Sequence, residues 1–194
     1  MAVCSNGIVW KKPNIYKEKK KFKRLQRRAR RIYEKMLKES NQTGVKFCEM
    51  KKSKNLLKLE SKLRAIRRRI RNKLVTNIHN FTAHIVKLNP KAVVIENLVV
   101  NHLRKLKNIG EKINEAHFYE IRWQLEYKCS WKGIPVIIAD RFYPSSKKCS
   151  CCGNVKEKLS LSERVYVCEK CGYVEDRDFN ASLNLRNLAL QPNC

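Results

Sequence analysis

Two cysteine pairs, Cys149-x-x-Cys152 and Cys168-x-x-Cys171, flank a spacer of 15 residues, 153 to 167. That is the spacing of a four-thiolate zinc site, and it constrains this chain more than any other feature. Roughly 30 residues cannot enclose an apolar core, so the metal would supply the folding free energy of the segment. Glycine follows each pair, at Gly153 and Gly172, where a tight metal knuckle asks for positive φ. Val165-Tyr166-Val167 reads as a strand, which makes the segment a zinc ribbon. Four ligands close the tetrahedron and leave no open position, so Zn2+ here is expected to be structural. Cys151 leaves one ambiguity, since it could replace Cys149 or Cys152 in another register.

The chain has 194 residues and nine cysteines, an odd number, and its start, Met1-Ala2-Val3-Cys4, does not resemble a secretory signal. A reducing, cytoplasmic compartment is therefore expected, where clustered cysteines bind metal rather than pair. Cys4, Cys48, Cys129 and Cys194 read as plain thiols. No apolar run reaches the ~18 residues that a membrane span needs.

Charge is the second constraint. Lys and Arg total 44 against 17 acids, a formal charge of +27, which calls for a polyanionic partner, nucleic acid before a membrane surface. From Lys11 to Lys73 there are 26 Lys/Arg and five acids. Within that stretch Phe22, Leu25, Ala29, Ile32 and Met36 recur at helical spacing. Leu59, Leu63, Ile66, Ile70, Leu74, Ile78, Phe81 and Ile85 mark a second, longer helix. Asn41-Gln42-Thr43-Gly44 separates the two, and Asn89-Pro90 ends the second. Residues 11–88 thus read as an antiparallel pair of helices with an apolar seam. Lys20, Arg24, Arg27, Arg28, Arg31, Arg64, Arg67, Arg68 and Arg71 are the candidate nucleic-acid contacts on its outer faces. A charged face that is only solvated is the plainer alternative.

Beyond Pro90 the pattern changes. Ala92-Val93-Val94-Ile95 and Ile134-Pro135-Val136-Ile137-Ile138-Ala139 read as buried strands. Phe118, Ile121, Leu125 and Cys129 place a helix between them, closed by Gly133. Strand, helix and strand in this order imply a parallel pair. Ser5-Asn6-Gly7 between two apolar runs predicts a hairpin near the start. Asn180 to Leu190 reads as a final helix. Tyr119, Trp123, Tyr127 and Trp131 recur every four residues; they could stack on bases, but core packing is the expected role. His79, His84, His102 and His117 share no spacing with other ligands and are expected on helix surfaces.

Only three aspartates occur: Asp140, Asp176 and Asp178. Glu96 follows a buried strand directly, the end at which α/β sheets place functional groups. Asp178 opens the last helix. Together they could hold Mg2+ for phosphodiester hydrolysis, although a strand-end carboxylate is often only solvated and Asp178 could serve as an N-cap.

Several motifs, in order, resemble the C-terminal half of the TnpB (OrfB) family, transposon-encoded RNA-guided nucleases related to the compact Cas12 effectors. They are Val93-Val94-Ile95-Glu96-Asn97-Leu98, Gln124-Leu125-Glu126-Tyr127-Lys128, Asp140-Arg141-Phe142-Tyr143-Pro144-Ser145-Ser146-Lys147-Lys148-Cys149-Ser150, the two CxxC pairs, and Asp176-Arg177-Asp178-Phe179-Asn180-Ala181. The resemblance implies an α/β, RNase H-like RuvC fold carrying a basic helical insert and a zinc ribbon. The expected domains are a nuclease core over 1–144 that includes the helical pair 11–88, the ribbon over 145–175, and a C-terminal helix over 176–194. It carries catalytic roles over to Glu96 and Asp178, Zn2+ to Cys149, Cys152, Cys168 and Cys171, and Mg2+ to the acids. Guide RNA and DNA are the implied partners.

In the family a first aspartate sits in an Asp-Leu-Gly strand ahead of the hairpin that here begins Met1-Ala2-Val3. No aspartate precedes Asp140, so the chain alone is expected to be inactive, with an upstream-encoded fragment as a possible source of the third acid. A non-catalytic RNA- or DNA-binding regulator and a decayed, barely folding product are the alternatives.

Overall fold

The computed structural model describes residues 2–98, 117–160 and 162–190. His102 and Cys194 lie outside them. Two units are present, Pro13–Asn77, and Met1–Lys12 together with Ile78–Cys194.

The first unit is a helical pair. Helix α1 spans Tyr16–Thr43 and helix α2 spans Lys54–Lys87, whose last turns, from Ile78 on, belong to the other unit. Gly44 ends α1 in the left-handed region (φ 73°) and returns its amide to the Ser40 carbonyl, a conformation that costs glycine nothing and a Cβ-bearing residue more. Ser53 caps α2, accepting the Leu56 amide at 3.2 Å. Leu25, Ala29 and Leu59 are buried in the seam, with Ile32, Tyr33, Leu63 and Ile66 against them, as the period of three and four requires. Glu60 ties the helices by accepting from Lys52 at 2.7 Å and from the Tyr33 hydroxyl. Those hydrogen bonds, Lys52 first, hold its carboxyl below the usual range. Glu18 pairs with Lys73 in the same way.

The second unit begins with a hairpin, β1 (Ala2–Val3) against β2 (Val9–Trp10). Gly7 (φ 84°) turns it, donating to the Cys4 carbonyl. Strands β3 (Val93–Ile95) and β4 (Val136–Ile138) pair in parallel, Val93 opposite Val136 and Ile95 opposite Ile138. Helix α3 spans Phe118–Ser130 between them. Strands β5 (Val165–Val167) and β6 (Val174–Asp176) form an antiparallel hairpin, and helix α4 spans Arg177–Leu190. The described strands form three separate two-stranded sheets, not one continuous layer; α4 packs on both β1 and β3.

Trp10, Ile78, Phe81, Ile121 and Leu125 make the main core of this unit, and Val86, Cys129 and Ile134 a second cluster beside it. The expectation of core packing for Tyr119, Trp123, Tyr127 and Trp131 fails. Tyr119 is 70% exposed, Trp123 49% and Trp131 78%. The reason is angular: α3 buries Ile121, Gln124, Leu125 and Cys129, and a stripe of period four displaced by two residues falls on the opposite side. The buried polar groups between α3 and α2 are paired. Lys128 donates to Thr82 Oγ1 at 2.7 Å and to the His79 carbonyl at 3.1 Å, and burial pulls its ammonium below the usual lysine range.

Ile78 is fully buried. Ile78→Ala should therefore lower stability by about 3 kcal/mol in urea unfolding, while Arg68→Ala on the exposed face should change it by less than about 0.5 kcal/mol. Equal effects would contradict the core described here.

Candidate functional site

The two CxxC segments fold as near copies. Gly153 donates to the Cys149 carbonyl and Gly172 to the Cys168 carbonyl, both at 3.0 Å. The Cys149 amide donates to Asn154 O and the Cys168 amide to Tyr173 O, both at 2.8 Å. Gly153 and Gly172 take φ of 77° and 72°. The ligand sulfurs of Cys149, Cys152, Cys168 and Cys171 all lie within 4.8 Å of one another. Two sulfur–sulfur separations, Cys149 to Cys171 and Cys152 to Cys168, are 3.7 and 3.6 Å. A tetrahedron with metal–sulfur bonds of ~2.3 Å has edges of roughly 3.8 Å, so the four thiols fit around one ion. Cys151 is exposed and stands outside the set, which resolves the register left open by the sequence. Fully buried Tyr166 lies under the knuckles and donates to Lys147 O at 3.2 Å; burial, reinforced by the thiolate charges, pushes its hydroxyl up to about 12.

The ribbon is anchored to α4 by amides that sequence reasoning passed over. Asn180 accepts the Ser150 amide at 3.0 Å and donates to Lys148 O at 2.8 Å. Asn184 donates to Lys148 O at 2.6 Å and Ser145 O at 2.8 Å. Both asparagines are essentially inaccessible. An asparagine in a helix interior costs propensity, and two spaced i, i+4 on one face were the signal that could have exposed them.

Glu96 stands at the C-terminal end of β3, where Ser145 Oγ donates to its Oε1 at 2.6 Å. It borders a pocket of about 150 Å3 together with Asn97, Asp140, Arg141, Ser145 and Leu185. Asp140 reaches this pocket because β4 runs parallel to β3, so both strands end at the same level. Its Oδ1 also accepts the Phe142 amide at 2.7 Å.

Asp178 is in the first turn of α4. The N-cap role belongs to Asp176, whose Oδ1 accepts the amides of Asp178 and Phe179 at 2.9 and 3.0 Å. Capping therefore does not occupy the Asp178 carboxylate, which is partly exposed and lies 3.7 Å from Arg177 Nε. Asp178 shares a helical face with Leu185, two turns on, and Leu185 lines the Glu96 pocket. Among the described residues the four cysteines are the only cluster of three or more potential ligands within 4.8 Å. Glu96, Asp140 and Asp178 do not close into such a trio. Lys20, Arg24, Arg27, Arg28, Arg31, Arg64, Arg67, Arg68 and Arg71 are all exposed on the helical pair, and Arg67 lies over the Phe22 ring at 5.0 Å.

Residues 118–185 match the family model of the Cas12f1-like TNB domain. A Streptomyces pristinaespiralis protein named as an RNA-guided DNA endonuclease is 39% identical over 70% of this chain and 33% of its own length. TnpB-like protein L79 of Acanthamoeba polyphaga mimivirus is 32% identical over 72% of this chain and 27% of its own. The chain belongs to the TnpB family. It spans a third or less of the length of these TnpB relatives. In fold it is similar to a chain of a Cas12f1–sgRNA–target DNA complex solved by cryo-EM, with TM-score 0.52 and 23% identity over 66% of this chain and 37% of that one. No described helix of this TnpB-family chain is long and apolar enough to cross a membrane.

The thiols differ in proton affinity. The Cys171 backbone amide, against the cost of burial, pulls Cys168 down to about 6. The Tyr173 amide favours the Cys171 thiolate, but sharing with Cys152 and burial outweigh it and push that thiol up to about 12. Burial raises Cys149. Metal binding must expel protons from Cys171 and Cys149, so apparent affinity for Zn2+ or Co2+ should rise with pH above about 6. A pH-independent affinity in a Co2+ absorbance titration would contradict the four-thiolate site.

Proposed function

We propose that this chain forms the catalytic end of an RNA-guided DNA endonuclease. In this reading Zn2+ in the Cys149, Cys152, Cys168 and Cys171 set is structural, since a thiolate-only set suits zinc and leaves no open position. Glu96 and Asp178 are the metal-binding carboxylates, with a third acid contributed from outside these 194 residues. One observation carries the reading: Ser145 holds Glu96 with its hydroxyl and Asn184 of α4 with its carbonyl. The strand end bearing one acid is thereby clamped to the helix bearing the other. Glu96 and Asp178, with the third acid, would hold Mg2+, and the chemistry it would supply when bound is activation of water and stabilisation of a phosphodiester's leaving oxygen. The residues' own part is geometric: Ser145 fixes Glu96 Oε1, and Asp176, by capping α4, keeps the Asp178 carboxylate out of the cap. The exposed basic residues of α1 and α2 hold the phosphates of guide RNA and DNA.

Purified alone, with Mg2+ and a guide, the 194-residue protein should leave DNA intact. An N-terminal segment carrying an Asp-Leu-Gly strand, supplied fused or in trans, should restore guide-directed cleavage. Glu96→Gln or Asp178→Asn should then remove it by a factor of about 1000 or more. Cleavage by the chain alone that Glu96→Gln abolishes would overturn the three-acid reading.

Because the described acids do not gather into a trio, a second reading remains, a non-catalytic nucleic-acid-binding regulator. It predicts no cleavage in any of these mixtures. Under both readings, neutralising Arg67, Arg68, Arg69 and Arg71 together should weaken binding to unrelated sequences equally and flatten its salt dependence, each lost phosphate contact reducing the slope by about one. Unchanged filter-binding curves would contradict an interface on this helix.

A further inference from the structure

We propose that the outer face of α3 is a stacking platform for an unpaired RNA segment. Tyr119, Trp123, Tyr127 and Trp131 share that face, and the last three form a continuous ladder. Ring centroids of Trp123 and Tyr127 are 4.9 Å apart and those of Tyr127 and Trp131 are 4.8 Å apart. Their planes are inclined at 57° and 63°, so neighbours meet tilted or edge to face and do not stack on one another. Lys128 Nζ lies over the Tyr127 ring, 5.9 Å from its centroid, and the open aromatic surface is that of Trp123 and Trp131. Trp131 is 78% exposed and Tyr119 70%. Exposing so much aromatic surface along one helix is costly unless something covers it.

Charge and spacing select the occupant. The helical pair, residues 13–77, holds 24 of the 44 Lys/Arg, and the unit that contains α3 keeps 20 against 12 acids, a formal charge of +8 that still draws polyanions to its surface. The carboxylates bordering the ladder are engaged: Glu126 accepts from Arg122 at 2.8 Å, and Glu120 accepts from Gln124 at 2.8 Å. Lys132 is exposed at the C-terminal end of the ladder. From Trp123 to Trp131 the ladder runs about 12 Å. Its rungs are further apart than the ~3.4 Å between stacked bases in a duplex strand, so it suits bases splayed apart, not a stacked helix. Splayed, unpaired bases stacked on aromatic side chains are the usual form in which RNA loops and ends are recognised. The platform is independent of Glu96 and Asp178 and stands whether or not they bind metal.

The chain's three tryptophans make the test direct, because Trp10 is buried at 5% exposure and contributes a constant background. Titration of the full chain with a short oligoadenylate RNA should quench the emission of Trp123 and Trp131. Inorganic polyphosphate, which carries charge without bases, should bind without quenching. Trp123→Leu/Trp131→Leu should weaken binding of fluorescently labelled RNA at least about tenfold, with the circular dichroism spectrum unchanged because both side chains are exposed. RNA binding without quenching would overturn the proposal. So would equal or tighter quenching by the matching DNA strand or by duplex RNA. Self-association that the double variant abolishes would assign the ladder to a second copy of the chain instead.

Discussion

The amide of Asn184 makes two hydrogen bonds, to the carbonyls of Ser145 and Lys148, and much of the second unit depends on them. The segment from Tyr143 to Ser150 has no regular strand or helix of its own. Without an amide partner its buried carbonyls would each cost about 1–3 kcal/mol. Asn184, seconded by Asn180, satisfies them from α4 and so fixes where this segment lies. Upstream, that placement sets the Ser145 hydroxyl against Glu96. Downstream, it sets the first metal knuckle, which begins at Cys149. One helix face thereby positions a carboxylate pocket and a thiolate cluster together.

This division of labour explains why α4 is polar where it is most buried. Asn180, Ser182 and Asn184 are its buried residues, in place of the leucine stripe usual for a packed helix. Amide hydrogen bonds specify position more sharply than apolar contact does, because a shifted register leaves buried groups unpaired. The cost in intrinsic helix stability is offset at the other end by Asp176, whose carboxylate caps α4 and complements its positive N-terminal dipole.

What the sequence made legible follows from how local each signal is. The CxxC spacing, the Asn-Gly hairpin and the helix break are fixed by a few adjacent residues: the four thiols do cluster and the hairpin forms, but the break expected over Asn41-Gln42-Thr43-Gly44 begins only at Gly44, because α1 continues through Thr43. The seam of Leu25, Ala29 and Leu59 was legible because helical periodicity names a face. Which face of α3 is inward was not, since Ile121–Leu125–Cys129 and Tyr119–Trp123–Tyr127–Trp131 are rival apolar stripes on one helix, and only packing against Trp10 and Phe81 chooses the first. The asparagine contacts and the Ser145–Glu96 bond were invisible for a different reason. They join residues 30 or more positions apart in sequence, and no local pattern encodes them. The capping of α4 was legible in kind but not in position, with Asp176 taking the role that Asp178 could have filled.

In the function proposed above, Glu96 and Asp178 serve one divalent ion. Paramagnetic relaxation by Mn2+, read residue by residue from the NMR spectrum of the isotope-labelled chain, tests this most directly. The amides around Glu96 and those of the first turn of α4 should broaden together, and Glu96→Gln should abolish both effects. Broadening at one location without the other, or at neither, would contradict it.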